Sequence, residues 1–193
     1  MSKQDIPRWC PKCKAKLKIA LSYMEKVPAA NKIQLKLSEP PIILLLDNIR
    51  STYNVGSMLR TADGFNISQI YFCGISATPE NQKIRKTSLG AEKINNWNYF
   101  ENGLLLAQKL KQEGKILLGL EFCSGSKLIT DIKKMDPNKS IVLIVGNELM
   151  GIDPEIRKIC DELVYIPMMG KKSSFNVTIA FGIAAFYLNY ICS

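Results

Sequence analysis

From residue 41 onward the chain alternates between short apolar runs and longer mixed segments. Ile42–Leu46, Ile116–Leu120 and Ile141–Val145 are apolar without interruption. Runs of this length with no polar alternation predict strands buried on both faces. Gln69–Cys73 and Leu163–Ile166 predict two more strands. Pro167 stops the second of these, since it cannot continue a ladder. Between the strands, Asn54–Asp63 reads as a helix ended near Gly64. Gly103–Glu113 reads as another, closed by Gly114. Pro154–Cys160 has Asp153 at its N-cap and proline in its first turn. Asn81–Leu89 is basic and irregular, with Lys83, Arg85 and Lys86. Strand and helix in alternation predict an α/β fold, a mainly parallel sheet flanked by helices.

The C-terminal stretch, Leu163–Tyr190, holds a strand, a polar loop Met168–Ser174, and a helix from about Phe175 to Tyr190. That helix is apolar on nearly every side, so it predicts burial in a core or against a second subunit. Ser173, Ser174 and Asn176 stand where the first helical N–H groups are unpaired. They suit helix capping and a ligand site equally.

Residues 1–40 read differently. Leu17, Ile19, Ala20, Leu21, Met24 and Val27 predict an amphipathic helix, with Lys12, Lys14, Lys16 and Lys18 near its start and Pro28 ending it. Pro40-Pro41 marks a boundary. The chain thus divides into a basic, helical N-terminal extension (1–40) and a main domain (41–193). The 193 residues carry a formal net charge of +9, and the extension holds nine Lys/Arg against three Asp/Glu. Such an excess favours a polyanionic partner, most simply nucleic acid. No apolar run reaches the length of a membrane span, and no secretory h-region opens the chain, so a cytoplasmic location and no membrane partner are expected.

Two absences constrain the chemistry. There is no histidine, which removes Ser-His-Asp and Cys-His catalysis. Cys10 and Cys13 form a C-x-x-C, half of the four ligands a structural zinc takes, so a single subunit is expected to hold no metal. A site shared across a dimer stays open.

In a parallel sheet, ligands bind outside the carboxyl ends of the strands. Three loops qualify: Asp47-Asn48-Ile49-Arg50 running on to Asn54 and Arg60, Gly146–Gly151, and Met168–Ser174. Neither G-x-G-x-x-G after a strand nor G-x-x-x-x-G-K-[ST] is present, which disfavours an ordinary nucleotide-binding enzyme. The loops instead carry three motifs in order. Leu44–Phe65 contains Asn54, Gly56, Arg60, Thr61 and Ala62 in an N-x-G-x-x-x-R-T-A pattern. Ile141–Ile152 contains Gly146, Glu148 and Gly151 as G-x-E-x-x-G. The third is IPM followed by SFNV, through Asn176, with Phe175 where leucine is usual; Lys86–Ala91 (KTSLGA) adds a fourth element.

This set resembles the SpoU–TrmH family of RNA ribose 2′-O-methyltransferases, in the SPOUT superfamily, across residues 42–190. The resemblance implies S-adenosylmethionine as methyl donor, RNA (tRNA or rRNA) as partner, a homodimer, and a deep C-terminal trefoil knot. It implies cofactor contacts at Gly146, Glu148, Gly151, Ile166, Met168, Ser174, Phe175 and Asn176. It also implies Arg60 as the leading catalytic residue, with Asn54, Glu148, Ser174 and Asn176 around it. Arg60 would act as a base if perturbed by an RNA phosphate, or else stabilise the developing alkoxide. The alternative is a non-catalytic RNA-binding protein on the same fold.

Overall fold

The structure is a computed structural model that describes residues 9, 10, 12–16, 42–93, 96–136 and 138–192. Among these residues, seven strands form one sheet in which every pairing is parallel. They are β1 (Ile42–Asp47), β2 (Gln69–Cys73), β3 (Trp97–Phe100), β4 (Ile116–Leu120), β5 (Lys127–Leu128), β6 (Ile141–Val145) and β7 (Glu162–Tyr165). Their spatial order is β3-β2-β1-β6-β4-β7-β5. The helices are α1 (Thr52–Gly64), α2 (Arg85–Ser88), α3 (Gly103–Gln112), α4 (Pro154–Ile159) and α5 (Val177–Cys192).

The uninterrupted apolar strands are explained by two cores, one on each face of the sheet. Leu44, Leu46, Leu143 and Val145 pack with Met58 and Leu59 of α1 and Phe181 and Leu188 of α5. Their strand neighbours Ile43, Leu45, Val142 and Ile144 point the other way, onto Leu106 and Leu110 of α3 and Ile156 of α4. Side chains alternate between faces along a strand. With helices on both sides, every position must therefore be apolar.

β2, β4 and β6 span the predicted residues. Other boundaries shift for local reasons. α1 starts two residues early because the Ser51 hydroxyl accepts from the Asn54 N–H at 3.3 Å and caps it. β7 is displaced by one residue, to Glu162–Tyr165. α5 starts at Val177 rather than Phe175. The Asn176 side-chain oxygen accepts from the Thr178 N–H at 2.9 Å and from its hydroxyl at 2.6 Å, so the cap is Asn176. Asn81–Leu89 is ordered into a 3-10 turn (Gln82–Ile84) and α2, which Leu89 ends in the left-handed conformation at φ 51°. β3 and β5 were not predicted. β3 is a half-exposed edge strand without apolar contrast, and β5 is two residues long.

The amphipathic helix predicted over Leu17–Val27 lies outside the described residues. Residues 9, 10 and 12–16 include a turn, closed by an antiparallel bridge between Trp9 and Lys16. Among the described residues no helix is long and apolar enough to cross a membrane.

Candidate active site

All strands run the same way, so β1, β4, β6 and β7 end on one edge of the sheet. The loops leaving that edge line a cavity of about 530 Å³.

The central group is Glu148, on the loop after β6. Its carboxylate accepts from the backbone N–H groups of Arg50 and Ser51, at 3.2 and 3.1 Å, and from the Asn54 amide at 2.9 Å. The Asn54 side-chain oxygen in turn accepts from the Asn176 amide at 3.4 Å. One residue from each of the three sequence motifs thus joins a continuous chain of polar contacts. Burial pushes the Glu148 carboxyl up. The Asn54 amide and the backbone N–H groups of Glu148, Ser51 and Arg50 outweigh that and hold it below the ordinary glutamate value.

The Glu148 loop is a closed turn. Asn147 and Gly151 exchange both backbone hydrogen bonds at 2.9 Å, and the Asn147 side-chain oxygen accepts from the N–H groups of Leu149 and Met150. A Cβ on Gly146 would meet the Gly151 and Ile152 backbone at 2.2 Å, and Gly151 has φ 73°. The glycines are therefore required by the packing of the turn on itself, before any ligand is considered.

Two acidic residues that sequence reasoning did not single out hold this edge together. The Glu121 carboxylate, just after β4, accepts from the Ile152 N–H at 2.7 Å and pairs with Arg157 at 3.2 Å. Asp47, the last residue of β1, is 2% exposed and accepts from the Asp153 N–H at 2.8 Å. Its carboxyl is raised, chiefly by burial, against the hydrogen bond from Asp153. Both are acids that end an apolar strand. That was the available signal: a charge at the mouth of a buried run needs a reason.

Of the residues expected at the site, Asn54, Gly146, Glu148, Gly151, Ile166, Ser174, Phe175 and Asn176 line the cavity. Arg60 and Met168 are not on its wall. Arg60 is exposed on α1.

A family model described as the SpoU rRNA methylase family matches residues 41–186. This chain belongs to the SpoU rRNA methylase family. It is 31% identical over 147 residues to the 23S rRNA (guanosine-2'-O-)-methyltransferase RlmB of Pseudomonas putida, a match covering 76% of this chain and 58% of the relative. It is also 31% identical over 150 residues to a tRNA (guanosine(18)-2'-O)-methyltransferase of Aquifex aeolicus, covering 77% and 69%. Among solved structures, the AdoMet-bound rRNA methyltransferase of Sinorhizobium meliloti superposes with a TM-score of 0.72 at 25% identity, covering 80% of this chain and 57% of that one. The SpoU family match thus spans less than two thirds of the P. putida relative's length. It contains all of the cavity described above.

Proposed function

We propose that this chain transfers a methyl group from S-adenosylmethionine to the ribose 2′-OH of a tRNA or rRNA nucleotide. The observation that carries the reading is the Glu148–Asn54–Asn176 contact at the cavity, which links the three motifs. The cavity suits the cofactor. Its volume falls within the range of small-molecule sites. Leu120, Val145, Ile166 and Phe175 give apolar wall beside the polar groups, as a ligand with a flat base and a charged amino-acid end requires. Gly146, Glu148, Gly151, Ile166, Met168, Ser174, Phe175 and Asn176 would hold it.

When bound, S-adenosylmethionine supplies an electrophilic methyl group on a sulfonium. The chain's part is to orient and to stabilise charge. Asn54, Glu148, Ser174 and Asn176 orient the ribose hydroxyl toward the methyl group, and such alignment supplies much of the rate. Arg60 stabilises the alkoxide that develops as the hydroxyl loses its proton.

The homodimer and the knot belong to the same reading. Ile179, Ile183, Phe186 and Tyr190 recur along one side of α5 and are 53%, 37%, 62% and 74% exposed, a stripe that a second copy would cover. β6 and β7 each insert between strands laid down earlier, which suits a deep trefoil knot in the C-terminal segment. Residues 1–40 act as a basic extension gripping RNA. Their deletion weakens RNA binding and flattens its salt dependence while sparing the cofactor. A cytoplasmic location belongs to the same reading.

The test is transfer of radiolabelled methyl groups to tRNA and rRNA from cells lacking the protein, followed by mapping of the modified nucleotide. Transfer is expected with the wild type and lost in Arg60→Ala, with cofactor binding by calorimetry retained in both. Cofactor binding without transfer to any RNA would favour an RNA-binding role. Absence of both would refute the assignment.

A further inference from the structure

Cys10, Lys12 and Cys13 lie on the tight turn that the Trp9–Lys16 bridge closes. Within it the Cys10 N–H donates to the Ala15 carbonyl at 2.8 Å, and the Lys14 N–H donates to the Cys10 carbonyl at 2.9 Å. Lys14, just after the second cysteine, takes the left-handed conformation at φ 58°. That reverses the chain between Cys10 and Lys16, so that both cysteines sit on one tight turn. Both cysteines are free, and Cys13 is exposed. A C-x-x-C at a hairpin turn, rather than at a helix N-terminus, is the arrangement of a zinc half-site.

Among the described residues, one chain does not complete it. The sequence has no histidine. Among the described residues no three of Cys, Asp and Glu gather closely enough to hold a metal. Cys73 is fully buried, and burial pushes its thiol up to about 12. A second copy carries the same hairpin, and a half-site lying on a two-fold axis meets its own copy there.

We propose that Cys10 and Cys13 of two copies of this chain bind one zinc ion through four thiolates. Zinc replaces four thiol protons, which go to solvent, and the resulting site carries a charge of about −2. Lys12, Lys14 and Lys16, all exposed on the hairpin, supply the countercharge from each copy. Trp9, 55% exposed, is the apolar surface such a pairing would cover. The inference stands apart from the cofactor cavity and does not depend on the methyl-transfer reading.

The experiment uses the full chain purified in reductant and dialysed. Metal analysis is expected to find about one zinc per two chains. Replacement by cobalt is expected to give the thiolate charge-transfer and tetrahedral bands of four sulfur ligands. Cys10→Ser/Cys13→Ser is expected to lose both signals, with unchanged cofactor affinity as the folding control. Three results would overturn the proposal: no metal and no cobalt spectrum with both thiols reduced, one zinc per chain, or zinc retained by the double variant.

Discussion

Replacement of Glu148 by glutamine isolates what its charge does. The carboxylate receives three donors. One oxygen serves the Ser51 N–H and the Asn54 amide, and the other serves the Arg50 N–H. A carboxamide keeps the shape but offers one oxygen, so it can retain two of the three and sets its own NH2 against a third donor. A hydrogen bond to a charged group contributes roughly 1.5–3 kcal/mol. Water reaches this position and takes over part of the loss, so Glu148→Gln is expected to cost about 1 kcal/mol. For a chain of this size that lowers Tm by about 2–4 °C. If the loop must be ordered to receive the cofactor, affinity falls about fivefold.

The pH dependence gives an independent check. The Glu148 carboxyl is raised by burial but held below the ordinary 4.5 overall by Asn54 and the backbone N–H groups of Glu148, Ser51 and Arg50. Its contribution is therefore complete above pH 4.5 and is lost as pH falls through the lower folded value. The stability difference between wild type and Glu148→Gln should be constant near neutrality and shrink below about pH 4.5. Thermal melts across pH, with calorimetry of cofactor binding at pH 7, measure both. Equal melting and equal affinity at pH 7 would refute the keystone role given to this carboxylate.

Other perturbations test the frame and the assembly. Gly56→Ala places a Cβ 2.6 Å from the Ile84 carbonyl, against the turn before α2; thermal melting is expected to show a loss of about 1–3 kcal/mol, and an unchanged Tm would mean that contact is soft. Leu143→Ala, at a fully buried position in β6, is expected to cost about 2–5 kcal/mol in urea unfolding. Phe186→Asp charges the exposed stripe of α5; sedimentation is expected to convert a dimer to a monomer, and a variant that stays dimeric would move the interface elsewhere.

The strands were legible because burial on both faces removes polar positions, leaving runs such as IVLIV with no ambiguity of period. Their order was not. β6 enters between β1 and β4, and β7 between β4 and β5. These are non-local pairings that no window of sequence encodes. The edges were illegible for the opposite reason. Trp97–Phe100 is half exposed, tied to the cores by ring contacts of Trp97 with Phe72, 5.8 Å between centroids, and of Phe100 with Tyr71, 5.6 Å. The basic segment before Leu89 looked irregular because its helical turns are three and four residues long, below the length at which periodicity can register.

At the site, the motifs announced which loops mattered but not how their residues divide. Asn54 and Arg60 belong to one motif and one helix. Six residues at 3.6 per turn separate them by about 120° around the axis, so the two side chains leave α1 on different sides. Asn54 faces Glu148 and Asn176, and Arg60 is left exposed on another side of α1. Membership of the motif therefore does not mean contact with the cofactor. Asn54 ties the loops around the cavity, and in the proposed reading the exposed Arg60 meets the incoming RNA rather than the cofactor. Its loss should accordingly abolish methyl transfer without weakening cofactor binding, whereas a wall residue would affect both.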